Sequence, residues 1–365
     1  MAMTRASWLV LAGLGLGCSG NALSTLSLQD DQGALSINLA PGRAGDDLHQ
    51  PYGVGAQVLI RGSHGLTQRN HSNLFAEITR GNTAVIVSQA ATADDFQVNV
   101  RFDGAGDAEL TVWSSTARES AVRVQGLQSV VPNGARLFPA VQRVLDPNWK
   151  EHAVEPPFHA AVDGDLRIYV ELLRDGMPVF GAPLEAVVPE AETGLANVEA
   201  LSQSDRPYSQ LRVRPWVSGP LNLELTSGGA VIRQAQVVAH QPAELAGLDL
   251  LKPPMPDDVE DDRQLPVVAQ GRLANGSPVW GIPATWMAAS NPVEGQADVL
   301  NYKFRQGANT AVEVAWGTQR VTGSIEGEAV SVGSAGAGCT AVGPSTSGLL
   351  LLLALRLGRG RRVRL

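Results

Sequence analysis

One eight-residue pattern occurs twice in this chain, one hundred residues apart. Residues 176–183 read GMPVFGAP and residues 276–283 read GSPVWGIP. Glycine and proline at both ends predict a turn on each side of a short apolar strand, and a second strand is predicted after each copy, at 184–188 and 284–287. A spacing of about 100 residues is the length of one β-sandwich domain. The repeat therefore predicts a series of similar sandwiches in which Phe180 and Trp280 fill the same position.

A second pattern, two alternating apolar strands separated by a glycine-containing turn, occurs three times. The pairs are 98–102 with 108–112, 211–214 with 221–225, and 300–304 with 311–314. Period-two alternation predicts strands with one buried face, and the short turns predict that each pair is a hairpin. A further short strand is predicted to close each unit, at 121–124, 235–238 and 320–325.

The composition agrees with an all-β fold. The 365 residues include 39 glycines and 22 prolines, and no segment between the termini shows an apolar stripe of helical period. The predicted organisation is a signal peptide at 1–22, sandwiches at 23–127, 128–241 and 242–331, and a tail at 332–365. The boundaries between sandwiches are placed near Gly126 and near Gln241.

The third unit carries a family resemblance. Its segment Asn275-Gly276-x-Pro278-Val279-x-Gly281 leads into Thr285-Trp286, and together with the terminal strand pairs it resembles bacterial immunoglobulin-like domains. That family forms the tandem sandwiches of adhesins and surface proteins. The resemblance implies tandem immunoglobulin-like sandwiches over most of residues 23 to 331.

The C-terminal tail combines a cysteine, a short leucine run and an arginine cluster. Cys339 precedes the leucine-rich stretch 349–355, and the arginines are Arg356, Arg359, Arg361, Arg362 and Arg364. This order resembles MYXO-CTERM, a sorting signal of myxobacterial surface proteins. The resemblance implies export, processing near Cys339 by a sorting protease, and display at the cell surface or outer membrane. A permanent spanning helix needs about 20 apolar residues, so we expect a transient membrane stop held by the arginines.

The N-terminus also predicts export. Arg5 is followed by the apolar stretch 7–17 and then by small residues, the layout of a secretory signal peptide. Gly17-Cys18-Ser19 resembles the end of a bacterial lipoprotein signal, in which Cys18 becomes the acylated first residue, although Gly15 stands where that family prefers leucine. Ordinary cleavage after Ala22 is the alternative.

Cysteine usage and charge set the terminal signals apart from the body. Cys18 and Cys339 are the two cysteines of the chain, so the region between them can form neither a disulfide nor a thiolate metal site. Six of the 28 basic residues lie in the terminal signals and all 36 acidic residues lie between them, which leaves the body a net charge of about −14. Such a charge disfavours nucleic acid as a partner.

One acidic segment suggests calcium. Residues 252–262 contain three prolines and five carboxylates, which predict an extended, solvated linker at the entry of the third sandwich. Calcium binds six to eight oxygen ligands, but the segment lacks the spacing of an EF-hand loop. Asp163-Gly164-Asp165 and Asp30-Asp31 are interpreted as turns. A solvated loop without a cofactor is therefore the prediction, with calcium as the alternative.

Catalytic motifs are absent from the sequence. None of the six histidines, at 49, 64, 71, 152, 159 and 240, falls in a metal-ligand spacing, and there is no Gly-x-Ser-x-Gly elbow or phosphate-binding glycine loop. Trp280, Trp286 and Trp316 fall in predicted strands and are expected in the core. Trp149 has polar, turn-like neighbours, and it is either a ligand contact on a loop or a residue packed beneath that loop.

The sequence thus predicts an exported, surface-anchored, non-enzymatic protein that binds or acts as a spacer at the cell envelope. Its expected partners are the membrane or outer surface, reached through the tail or a lipid, and an extracellular protein or polysaccharide. Two alternatives remain. One is a carbohydrate-binding or accessory module of a polysaccharide system, favoured if exposed aromatic residues line one sheet face. The other is an enzyme whose site the sequence does not reveal.

Overall fold

The structure is a computed structural model that describes residues 36–39, 48, 50–63, 73–92, 95–118, 121–202, 207–255, 259, 261–293, 295 and 298–330. Its strands in chain order are β1 (Ser36–Asn38), β2 (Tyr52–Gly53), β3 (Gln57–Ser63), β4 (Phe75–Arg80), β5 (Ala84–Ala91), β6 (Phe96–Phe102), β7 (Gly106–Trp113), β8 (Ala121–Val130), β9 (Gly134–Pro139), β10 (Phe158–Ala161), β11 (Leu166–Arg174), β12 (Met177–Pro178), β13 (Glu185–Val187), β14 (Ala196–Leu201), β15 (Tyr208–Pro215), β16 (Gly219–Ser227), β17 (Ala230–His240), β18 (Gly247–Leu251), β19 (Gln264–Arg272), β20 (Pro278–Val279), β21 (Thr285–Ala288), β22 (Asn291–Val293), β23 (Val299–Trp316) and β24 (Gln319–Val330).

Helical structure within these residues is limited to four short pieces. They are α1 (Gln142–Leu145) and the 3-10 turns η1 (Trp149–Glu151), η2 (Glu190–Glu192) and η3 (Pro242–Glu244). The all-β prediction is confirmed, and the described residues form three tandem immunoglobulin-like sandwiches.

Two sheets face each other in each of the first two sandwiches. The first sandwich pairs sheet β1-β3-β6-β5 with sheet β2-β8-β7-β4. The second pairs sheet β10-β17-β16-β13 with sheet β12-β11-β15-β14, in which β9 also lies against β11. Alternate side chains of β6 are buried between the sheets, as period-two patterning predicts. In β11 the outward-facing Tyr169 and Glu171 are buried as well.

The third sandwich is built around one long strand. The first half of β23 pairs with β19 and its second half with β21, across an irregularity between Phe304 and Asn309, while β24 follows β23 along both halves. Leu300 and Val314, from the two halves, are buried in the same apolar core. A single strand therefore contributes to both layers of this sandwich.

The predicted hairpins are wrong, and the chain crosses between sheets where they were expected. β6 and β7 belong to opposite sheets of the first sandwich, and β15 and β16 to opposite sheets of the second. In the third sandwich both predicted strands lie within β23. The second strand of each predicted pair instead forms a hairpin with the strand that follows it, β7 with β8, β16 with β17, and β23 with β24. Alternation identified the strands, but it does not specify which strand each one pairs with.

Strand pairing also bears on the predicted boundaries. β8 runs to Val130, so a boundary between 127 and 128 falls inside a strand of the first sandwich. Gln241 lies between β17, in the second sandwich, and η3. The acidic segment 252–262 is not a linker between sandwiches, because it connects β18 to β19, which are paired neighbours within the third sandwich.

Candidate functional site

The repeated motif forms a joint between successive sandwiches. At the first joint the Phe180 N–H donates to the carbonyl oxygen of Pro51 at 2.9 Å, and the Gly53 N–H donates to the carbonyl oxygen of Phe180 at 2.9 Å. Phe180 follows β12 of the second sandwich, whereas Tyr52 lies in β2 of the first. The motif thus adds a short parallel bridge to a strand of the preceding sandwich.

The side chain of Phe180, like its backbone, contacts the first sandwich. Phe180 lies against the apolar core of the first sandwich. Its ring meets Tyr52 edge-on at a centroid distance of 6.4 Å, and Tyr52 stacks on Phe102 at 4.9 Å. Aromatic pairs in these orientations are favourable beyond the area they bury, so the second sandwich is anchored in the core of the first.

The second joint repeats the first one. The Trp280 N–H donates to the carbonyl oxygen of His159 at 2.9 Å, and the Ala161 N–H donates to the carbonyl oxygen of Trp280 at 3.1 Å. Trp280 is buried in the core of the second sandwich, although the chain places it in the third. β2 and β10 also correspond, since each pairs in parallel with the last strand of its own sandwich.

Glycines permit the close approach at both joints. The residue after each aromatic, Gly181 or Gly281, has a positive φ of 66° or 67°, which glycine adopts without strain. A Cβ on Gly53 would lie 2.1 Å from Cβ of Ala182, and one on Gly164 would lie 2.0 Å from the carbonyl oxygen of Gly281. Gly53, Gly164 and Gly281 are therefore explained by close contacts between sandwiches rather than by turns alone.

The joints lie at opposite ends of the second sandwich. Leu173, near the end of β11, pairs with Pro178 of the first joint. Asp165, just before the start of β11, donates its N–H to Gly281 of the second joint at 2.9 Å. The three sandwiches are consequently joined head to tail.

Charged side chains surround the second joint. The Asp165 carboxylate accepts hydrogen bonds from Arg167 at 2.8 Å and from Arg212 at 2.5 Å, and Arg214 approaches it at 3.3 Å. Asp298 of the third sandwich accepts the Gly281 N–H at 3.2 Å. Burial raises the pKa of Asp298 to about 7, against the opposing effect of the Arg167 charge.

Two histidines form a pair beside Trp280. Nδ1 of His159 lies 2.9 Å from Nε2 of His240, and Nδ1 of His240 lies 2.8 Å from the Glu244 carboxylate. Since a carboxylate only accepts, Nδ1 of His240 donates to Glu244, and in neutral His240 the Nε2 accepts from His159. Burial lowers the pKa of His159, and the His240 charge lowers it further. The pair supports the backbone to which Trp280 binds.

The prediction that Trp149 contacts a ligand is wrong. It is only 5% exposed and packs on the outer face of the β9-β11-β15 sheet, against Phe138 at 5.2 Å, Tyr208 at 5.2 Å and Tyr169 at 5.7 Å. Arg143 lies 6.0 Å from the ring centroid. These four aromatic residues form a small satellite core beneath residues 140–157, so the packing alternative describes Trp149.

The structure describes only some of the other residues that were predicted as sites. Cys18, Cys339 and the tail arginines lie outside the described residues, as do His49, His64 and His71. Across the described ranges no group of three or more His, Cys, Asp or Glu side chains could hold a metal ion. In the part of the acidic segment that is described, Asp261 accepts the Gln306 N–H and Asp262 pairs with Arg305. No helix in the described part of the chain is both long enough and apolar enough to span a bilayer.

Sequence reasoning missed two features of this region. The aromatic of each motif copy was expected at one position, but nothing in the pattern showed that this position lies in the neighbouring core. Trp216, which is 54% exposed at the turn after β15, was not singled out. Its position two residues after Arg214 and four after Arg212, on an alternating strand, is the signal that could have identified it.

Comparison with known proteins gives structural similarities alone. No family model matches the chain, and no curated protein matches it. Among solved structures, domains 4–9 of the surface layer protein SbsC align at 13% identity with a TM-score of 0.31, covering 72% of this chain and 40% of that one. The Escherichia coli adhesin FdeC aligns at 12% identity with a TM-score of 0.26, covering 74% and 92%. Invasin, a bacterial integrin-binding protein, aligns at 13% identity with a TM-score of 0.25, covering 79% and 57%. At these TM-scores the alignments are too loose to argue from, and the fold rests on the strand pairing described above.

Proposed function

We propose that this chain is an exported cell-surface protein in which tandem sandwiches act as a stiff spacer that holds an attachment surface away from the cell. The equivalence of the two joints carries the proposal. At each joint two backbone hydrogen bonds and one aromatic side chain fix a sandwich to the preceding one. A spacer needs such fixed joints, because a flexible linker lets neighbouring domains reorient.

The proposed role is structural and adhesive rather than catalytic. The most buried carboxylates of the second sandwich are engaged with arginines: Glu171 pairs with Arg136, and Asp165 is surrounded by three guanidiniums. These ion pairs give the Glu171 and Asp165 carboxylates a structural role in the fold. Export and surface display, which the terminal signals predict, belong to the same proposal.

Distances between spin labels in neighbouring sandwiches test the stiffness of the joints. The body contains no cysteine, so labels can be placed at exposed Ser88→Cys, Gln234→Cys and Ser324→Cys after Cys18 and Cys339 are replaced by serine. We expect narrow distance distributions for both neighbouring pairs. Phe180→Ala should broaden the first distribution but leave the second narrow, and Trp280→Ala should do the reverse. Distributions equally broad in the parent chain and in both variants would contradict a stiff spacer.

A further inference from the structure

The outer face of the β9-β11-β15-β14 sheet has a covered half and an open half. The satellite core of Phe138, Trp149, Tyr169 and Tyr208 covers one half. Beyond it, Gln210, Arg212, Arg214 and Trp216 follow one another along the same face, because successive strand residues alternate between faces. Trp216 continues the register of β15, since its N–H donates to the carbonyl oxygen of Leu195 at 2.9 Å.

Exposure increases along this open strip with distance from the satellite core. The side chains of Arg212 and Arg214 are 27% and 42% exposed and Trp216 is 54% exposed, whereas Arg167, opposite Arg212 on β11, is 17% exposed. Steps of two residues along a strand place neighbouring members about 7 Å apart. Val217, beside Trp216, is also more than half exposed. The strip therefore offers a planar guanidinium and an indole to solvent, side by side.

The strip presents arginines on a body that is strongly acidic. Arg167, Arg212 and Arg214 gather around the Asp165 carboxylate, while Glu199 lies opposite Arg212 and the buried Asp298 lies near Arg167. Arg214 contacts Asp165 through Nε alone, and its Nη donors meet no acceptor among the described residues. A guanidinium with unused parallel donors is suited to a carboxylate.

We propose that Arg212, Arg214 and Trp216 form a binding strip for a carboxylated polysaccharide, in which a sugar ring stacks on Trp216 and a uronate carboxylate binds Arg214. A sugar presents a flat apolar face that an indole can cover, and a spacing of about 7 Å lets Arg214 reach a carboxylate on the stacked or adjoining unit. A protein partner would fit less well, because the large apolar side chains exposed near its charges are few, Trp216, Val217 and Leu201, and stable protein interfaces bury about 800 Å² on each partner. The proposal is independent of the stiff spacer.

Calorimetric titration of the full chain with alginate, a polyuronate, tests the strip, with neutral dextran and polyglutamate as comparison polymers. We expect binding to alginate, none to dextran and weaker binding to polyglutamate. Trp216→Ala and Arg214→Gln should each weaken alginate binding by about tenfold, which corresponds to about 1.4 kcal/mol. Trp216→Phe should retain most of the affinity, since it keeps an aromatic face. Raising the salt concentration should weaken binding through the arginine contact.

The matched control is Arg101→Gln, which removes an exposed, ion-paired arginine from the first sandwich and should leave the affinity unchanged. All substituted side chains are partly exposed, so the substitutions should leave the melting temperature unchanged. Measuring the melting temperature of each variant verifies that it is folded. The proposal is overturned if alginate does not bind, if Trp216→Ala binds as the parent does, or if polyglutamate binds as tightly as alginate. The last result would mean that charge alone attracts an acidic protein or polymer.

Discussion

At the scale of single residues, two glycines mark where backbones of neighbouring sandwiches touch. A methyl group on Gly53 or Gly164 would overlap atoms of the next sandwich, Ala182 or the Gly281 carbonyl, respectively. Gly53→Ala and Gly164→Ala should each lower the free energy of unfolding by about 1–3 kcal/mol, the usual cost of overpacking. Chemical denaturation measures the change.

Gly126→Ala is the control for these substitutions, because a Cβ at Gly126 in β8 meets no atom within 4 Å. This variant should be neutral or slightly stabilised, since alanine restricts the unfolded chain. Equal stabilities for all three variants would show that the joints open without cost.

The raised pKa of Asp298 predicts how the stability of the fold depends on pH. Its pKa in the folded chain is about 7, whereas an unfolded aspartate titrates near pH 4. The unfolded chain therefore loses this proton first as pH rises, and the contribution to stability that is complete below about pH 4 is lost progressively up to about pH 7. Asp298→Asn should match the parent at pH 4 and be more stable by roughly 2–4 kcal/mol at pH 8.

Denaturation of both chains from pH 4 to pH 9 checks the sign of this effect. His159 acts in the opposite direction, because its lowered pKa makes the fold lose stability as pH falls. Both chains contain His159, so the difference between them isolates Asp298. A constant difference across the range would place the Asp298 pKa near its ordinary value.

At the scale of elements, Trp280 belongs to the third sandwich in sequence and to the second in packing. Trp280→Ala should open a cavity in the second core and cost about 3 kcal/mol or more. Hydrogen exchange should show faster exchange in β10 and β17. Trp286→Ala is the matched control, since Trp286 is buried in the core of the third sandwich, and its effect should stay there. If both variants loosened only the third sandwich, Trp280 would not be part of the second core.

The elements also show how far the sequence could predict this fold. Alternation located strands that have one buried face, and β6 lies where the alternation over 98–102 predicts. It could not show that β6 and β7 lie in opposite sheets, because a short turn can reverse a strand within a sheet or carry it across the sandwich. The repeat predicted equivalent positions for Phe180 and Trp280. Their burial in the neighbouring sandwich depends on contacts between sandwiches, and a strand pattern within one sandwich does not indicate such contacts.

At the scale of the whole molecule, the joints make each core depend on the next stretch of chain. Trp280 completes the second core and Phe180 packs against the first, so neither sandwich is fully packed until its successor is in place. Contacts of this kind couple neighbouring units in repeat proteins, where stability includes terms for the interfaces between them. The same contacts orient the strip on the second sandwich relative to both neighbours.

Placing this spacer at a cell surface depends on the two terminal signals, and processing at Cys339 stays a prediction. The tail joins a cysteine to a leucine run and five arginines, a layout that would halt export at the membrane until the chain is cut. The intact mass of the mature protein should correspond to a chain that ends near Cys339 and begins at Cys18 with added lipid or after Ala22. Cys339→Ala should retain the full tail mass and lose accessibility to protease added to whole cells, whereas Trp216→Ala, the matched control, should be processed and displayed as the parent is. A parent chain that keeps its whole tail and is unaffected by Cys339→Ala would refute tail-directed sorting without affecting the joints.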